Sequence, residues 1–272
     1  MNVQPAPPGA PDTMDLFAIA AAPVATGFEP ALHAADRFLS VPVSLVMWAM
    51  TAIVIAIAVR QTNRTMDERS VPLMGVMAAF IFAAQMINFQ VAGGTSGHLL
   101  GGVLAAILLG PWAGTLVMAC VVAVQALVFS DGGLVVMGAN IFNMGVVGTL
   151  GGFTIYLFLC RVLGGEDRAR IPASAIAAWI AVMLAAVAMS LQLIVSGTSP
   201  AEIVLPAMLG VHIFIGVGEA LITAAALTFI AATRKDLLDL RPDRATALAR
   251  RTGGTGPTGD VRTLAPAAAV KQ

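Results

Sequence analysis

The sequence predicts an all-α integral membrane protein, a bundle of about seven transmembrane helices with the N-terminus outside and the C-terminus in the cytoplasm. Three observations carry that prediction. Of the 272 residues, 58% are hydrophobic and only 11% are charged, where soluble domains carry about 25% charged residues. Mean hydropathy is +0.88. The apolar residues fall into long runs, and the loops between those runs alternate between basic and uncharged.

The runs lie at about 41–59, 71–90, 97–110, 112–130, 137–160, 172–195 and 203–233. A helix needs about 20 residues, at 1.5 Å each, to cross the hydrocarbon core. The third run is too short to cross as a straight helix, which predicts a tilted, broken or partly re-entrant segment. Pro111 separates it from the fourth with a sharp stop. The last run is long enough to emerge from the bilayer before Arg234.

The loops set the orientation. Arg60, Arg64 and Arg69 occupy one, and Arg161, Arg168 and Arg170 another, while the segment from Arg234 onward holds every other basic residue except Arg37. The loops at 91–96, 131–136 and 196–202 hold none. The positive-inside rule places the basic loops in the cytoplasm. An odd number of spans follows, and seven satisfies it.

Three regions result: an N-terminal arm (1–40), a transmembrane domain (41–233) and a basic cytoplasmic tail (234–272). In the arm, Pro5, Pro7, Pro8 and Pro11 predict an extended start. The apolar stretch 14–26 is short, is interrupted by Pro23 and lacks the positive region of a secretory signal. The tail is rich in Arg, Ala, Thr, Gly and Pro without an apolar period, which predicts disorder.

Composition also excludes. Formal net charge is zero, so nothing suggests nucleic acid. Cys120 and Cys160 both fall in apolar runs and read as small buried residues. There is no P-loop, HExxH, GxSxG or cysteine cluster, which points away from an enzyme and from ATP hydrolysis by this chain.

Polar residues inside apolar spans each need a reason. Gln85 and Asn88 are spaced i, i+3, and so are Asn140 and Asn143. Gln125 and Gln192 stand alone. His212 and Glu219, spaced i, i+7, share one helix face. The most unusual stretch is GGTSGHLLGG, Gly93–Gly102. Its glycines allow tight turns, Thr95 and Ser96 can cap a following helix, and His98 is expected in that helix's first turn. The topology gathers His98, His212, Asp131, Asn88, Asn140 and Asn143 in the outer half of one bundle, with Glu219 nearer the midplane. A polar cavity opening outward is the expectation. Imidazole suits nickel, cobalt, copper and zinc, and carboxylates and amides can orient it. Each residue also has a plainer reading: His212 as a packing histidine, Asp131 as a turn residue in SDGG, Glu219 as part of a structural network. The pairs Gly97–Gly101, Gly110–Gly114 and Gly148–Gly152 fit close helix packing, within the bundle or against another subunit.

The run FAAQMINFQVAGGTSGHLLGGVLAAILLGPWAG (82–114), then VQALVFSDGGLVVMGANIFNMGVVG (124–148) and GVHIFIGVGEALIT (210–223), closely resembles the cobalt/nickel substrate-binding membrane components of energy-coupling-factor (ECF) transporters, the CbiM/NikM-type family. The resemblance covers about 36–233. It implies a multi-pass protein of the bacterial inner membrane that captures Co(II) or Ni(II) as transported ligand, with no prosthetic group. It implies partners: a transmembrane coupling protein, cytoplasmic ABC ATPase subunits and a small accessory membrane protein. It also implies a nitrogen-only, square-planar metal site built from an N-terminal amine, the second residue's backbone nitrogen and histidine ring, and the histidine that corresponds to His98.

The family's Met-His-Ile-Pro-Asp-Gly start corresponds here to Leu32-His33-Ala34-Ala35-Asp36-Arg37, followed by Phe38-Leu39-Ser40. His33, Asp36, Leu39 and Ser40 match. His33 and His98 are therefore the expected metal ligands, with His212, Asp131, Asn143, Asn88, Asp36 and Ser96 around them. Because His33 is not the second residue of this sequence, three readings stay open. Cleavage between Ala31 and Leu32 would create an amine beside His33. Other donors could complete the site. Or the site has lost its metal and changed substrate. The alternative function is a non-transporting or substrate-switched membrane subunit of the same fold with an assembly or sensing role.

Overall fold

The computed structural model describes residues 33–66, 70–86, 88–91 and 95–239. Helix α1 runs Val41–Thr65, α2 Val71–Gln85, α3 Gly102–Leu109, α4 Pro111–Val128, α5 Met137–Val162, α6 Glu166–Val195 and α7 Ala201–Thr233. Strands β1 (Asn88–Val91) and β2 (Thr95–His98) pair antiparallel between α2 and α3. Among the described residues, α1, α4, α5, α6 and α7 are long and apolar enough to cross a membrane, and α2 is a shorter apolar helix. Leu45 and Ile53 of α1, and Phe214 and Phe229 of α7, are exposed. Such outward apolar faces suit hydrocarbon surroundings.

The short third run became the core. Every residue of α3 is buried. A helix that is apolar all round belongs inside a protein, and α3 packs among α4, α5, α6 and α7. Gly110, at φ 88°, turns the chain between α3 and α4, with Pro111 at the start of α4. The two helices then lie so close that a Cβ on Gly114 would come 2.9 Å from the Ala106 nitrogen. A Cβ on Gly148 would meet Leu100, and one on Gly152 would meet Val103 and Ala181. The glycines at 114, 148 and 152 therefore serve packing inside this bundle.

Two expectations need correction. Asn88 does not extend the helix that carries Gln85: α2 ends at Gln85 and Asn88 begins β1. His98 is not in the first turn of a helix, and Thr95 and Ser96 do not cap one. These residues form β2, and α3 starts only at Gly102, after Gly101 at φ 76°. The physical cause is local. The stretch has no helical apolar period, whereas a hairpin lets two short strands satisfy each other's backbone groups. Gly93 and Gly94 lie outside the described residues, so their expected turn geometry is not placed.

Helix α5 is π-helical from Phe142 to Gly151. Within it the Thr149 hydroxyl donates to the Met144 carbonyl at 2.9 Å. The wide helix follows a run in which Gly145, Gly148, Gly151 and Gly152 remove side-chain bulk.

Residues 33–40 are part of the bundle. The Gly133 N–H donates to the Ala34 carbonyl at 2.9 Å, Thr198 Oγ1 donates to the Phe38 carbonyl at 2.6 Å, and Leu39 is buried. After α7, Lys235–Asp239 form a 3-10 turn that buries Leu238. The rest of the arm and the tail lie outside the described residues.

Candidate metal site

The segment ahead of α1 and the hairpin behind α2 bring two histidines together. The rings of His33 and His98 stand 4.6 Å apart, tilted by 44°. Both are 8% exposed. The ring of His33 is held by distant partners, and that of His98 by the next carbonyl, in a turn that distant side chains fix.

His33 is held by the turn before α5 and by α5 itself. Its backbone N–H donates to Asp131 Oδ1 at 3.3 Å. Its Nδ1 stands 3.5 Å from Asp131 Oδ2, and its Nε2 stands 3.1 Å from the Met144 sulfur. The next residue is fixed too: Asn140 Nδ2 donates to the Ala34 carbonyl at 3.1 Å. Asp36 then accepts the Val135 N–H at 2.8 Å and the Val136 N–H at 3.3 Å. Asp36 is thus an anchor for the segment. The SDGG turn has a steric reason for its glycines: a Cβ on Gly132 would come 2.8 Å from His33 Cβ, and one on Gly133 would collide with Asp36.

His98 is fixed from its own backbone and from three helices. Its Nδ1 lies 2.8 Å from the Leu99 carbonyl, so Nδ1 carries the hydrogen and Nε2 presents a lone pair. Glu219 of α7 accepts the Leu100 N–H at 2.9 Å and the Gly101 N–H at 2.7 Å. Gln85 of α2 donates to the Leu100 carbonyl at 2.8 Å, and Gln125 of α4 donates to Gln85 at 3.0 Å. The buried carboxylate thus pairs both of these backbone amides. His98 lies in β2, outside the spanning helices. Burial, and then the neighbouring His33, hold its imidazole down at about 3. It therefore stays neutral, as a metal ligand must be.

The other expected residues divide. His212 is half-buried, its Nδ1 donating to the Met208 carbonyl at 2.7 Å, and it lies within electrostatic reach of His98. Asn143 exchanges two hydrogen bonds with Gln192 of α6, at 3.0 and 2.7 Å, so it braces α5 and α6. The backbone of Asn88 sits opposite His98 in the hairpin register, and that of Ser96 lies in β2; their side chains lie outside the described residues. Among the described residues no three His, Cys, Asp or Glu side chains are grouped to hold an ion.

Two features were missed from the sequence. Met144 reads as one apolar residue among many, and nothing in the pattern marks its sulfur. The Gln85–Gln125 link was invisible because the two glutamines belong to different helices. Glu219 did carry a signal: with Glu202 it is one of only two charges between residues 171 and 233.

The family described as the cobalt uptake substrate-specific transmembrane region, CbiM, matches residues 33–237. A Haloquadratum walsbyi protein named for metal transport is 40% identical over 209 residues, covering 76% of this chain and 93% of that protein. The fused nickel transport protein NikMN of Rhodobacter capsulatus is 31% identical and covers 81% of this chain and 67% of its own length. A crystal structure of a transition metal transporter superposes with a TM-score of 0.70 at 28% identity, over 82% of this chain and 100% of that one.

Proposed function

Because this chain belongs to the CbiM family of cobalt-uptake transmembrane regions, we propose that it captures cobalt or nickel at the outer face of a cell membrane as the substrate-binding component of an ECF-type importer. The observation that carries this reading is the pair of buried imidazoles, His33 and His98, with rings 4.6 Å apart in an interior that is otherwise largely apolar. Neutral imidazoles bind nickel and cobalt well. Asp131 supplies a negative charge beside the pair, which offsets part of the cost of burying a divalent cation.

The chain's own task is binding. His98 offers Nε2, and the Glu219–Gln85 clamp keeps that nitrogen aimed without moving when the ion arrives. His33 closes the site from the opposite side, from a segment tied by Asp36 and Asn140 to the turn before α5. Energy for passage comes from separate subunits: a transmembrane coupling protein and cytoplasmic ATPases. The fused relative supports such partnership.

Equilibrium dialysis of the full chain in detergent against Co(II) or Ni(II) tests the reading. About one ion per chain is expected, since the site offers one imidazole pair, and His98→Ala should abolish binding while the protein still inserts in the membrane. No bound metal at saturating concentration would overturn it.

A further inference from the structure

The chain has three histidines, and the fold brings all three into one neighbourhood. His33 and His98 stand ring to ring, and His212 of α7 lies within electrostatic reach of His98. Packing explains the approach. Ile215, one turn along α7 from His212, is buried in one cluster with Leu100, Val182 and Ala185, and Val211 packs against that cluster. Glu219, two turns from His212 on the same face, accepts the Leu100 and Gly101 amides. Strand β2 also touches α7. The stretch 211–219 therefore runs along the turn behind His98, with His212 about 10.5 Å nearer than Glu219 to the start of the helix.

His212 is set apart from the other two. It is half-buried, where they are 8% exposed. Among the described residues no three His, Cys, Asp or Glu side chains are grouped to share an ion, so His212 does not join the pair around one metal. It is nevertheless preset as a donor. Its Nδ1 lies 2.7 Å from the Met208 carbonyl, as that of His98 lies 2.8 Å from the Leu99 carbonyl. In the neutral ring the hydrogen then sits on Nδ1 and Nε2 keeps its lone pair.

The buried pair poses a problem of access. A divalent ion arrives hydrated, and stripping its charge of water in one step is costly. A half-buried imidazole beside the pair divides that cost. Its Nε2 displaces one water while the others stay on the ion, and no proton leaves the neutral ring.

We propose that His212 is the first station of the captured ion, binding hydrated Co(II) or Ni(II) through Nε2 at the edge of the site and passing it on to the buried pair. The assignment deepens the capture reading and rests on it. The passage exchanges ligands only. Each imidazole nitrogen gained in the buried site replaces a water or the His212 nitrogen, and His212 is free again once the ion has moved on.

A station that is empty before loading and after it changes rates and leaves affinity alone. Stopped-flow mixing of the full chain in detergent with Ni(II) tests this. Indole fluorescence follows loading, and Trp179 sits beside the station, its indole donating to the Ile213 carbonyl at 3.2 Å. Competition with a chelator follows release, and equilibrium dialysis gives Kd. In His212→Gln, loading and release should both slow about tenfold, which is about 1.4 kcal/mol on their shared barrier, with Kd unchanged. His212→Cys restores a metal donor and should load nearly as fast as the unaltered chain. A side chain that only packs gives the opposite order, because glutamine keeps the shape of histidine better than cysteine does. Unchanged rates in His212→Gln, a weakened Kd, or slower loading in His212→Cys than in His212→Gln would overturn the station and leave capture standing. Failure of the unaltered chain to bind nickel would overturn capture, and the station with it.

Discussion

His33 and His98 face each other across 4.6 Å, one from the segment leading into α1 and the other from the end of a hairpin. No helix or strand carries both. Their approach depends on tertiary contacts, and those contacts differ: a carboxylate and a turn hold His33, while a carboxylate and two glutamines hold the turn behind His98. Perturbing either frame should loosen the site without touching a histidine.

Glu219 is the first test of that idea. Glu219→Gln keeps the shape but offers only one acceptor oxygen to the Leu100 and Gly101 amides. One buried N–H then lacks its partner, at a cost of about 1–3 kcal/mol. The melting temperature in detergent should fall, and nickel affinity should fall with it because the His98 turn relaxes. A variant with unchanged stability and unchanged affinity would show that the clamp does not position the histidine.

Glycine positions give a paired test of packing. A Cβ on Gly152 would approach Val103 Cγ2 to 2.5 Å and Ala181 Cβ to 2.9 Å, whereas one on Gly75 meets nothing within 4 Å. Gly152→Ala should destabilise by about 1–3 kcal/mol through overpacking. Gly75→Ala, on α2, should be neutral or stabilising by about 0.5–1 kcal/mol. Comparing folded yield and melting temperature decides, and equal behaviour of the two variants would contradict the packing described for α3, α5 and α6.

The acid response should trace to His98. In the unfolded chain this ring takes a proton near 6.5, and in the folded chain only near 3. Between those values the unfolded state binds more protons, so stability rises with pH. The His98 contribution is complete above about 6.5 and is lost progressively as pH falls toward 3. Melting curves of the metal-free protein between pH 4.5 and 7.5 should slope less in His98→Asn than in the unaltered chain. Parallel slopes would reject the assignment.

Much of this was legible in the sequence because lipid imposes simple rules. Five of the long apolar runs became helices long enough to span, and the third, too short to cross, became buried α3. The histidine in the glycine frame was legible because so few polar residues interrupt those runs. The hairpin was not. The expected helical placement of Asn88 at the end of one apolar run and of His98 at the start of the next rested on apolar neighbours, while the backbone pairing of Asn88 with His98 is a property of two segments together. The roles of Gln85, Gln125 and Asn143 were hidden for the same reason: each amide is satisfied by a partner on another helix. Met144 was hidden by chemistry, since a thioether counts as apolar until an imidazole nitrogen is found beside it.

Helix α3 has no face toward lipid, and the turn behind His98 leads directly into it. The outer helices α1 and α7 must answer to the thickness of whatever membrane surrounds them, by tilting or by drawing the lipid in. Helix α3 answers only to its protein neighbours. The turn behind His98 is thus joined on one side to an element that lipid does not touch and, through Glu219, on the other to one that it does.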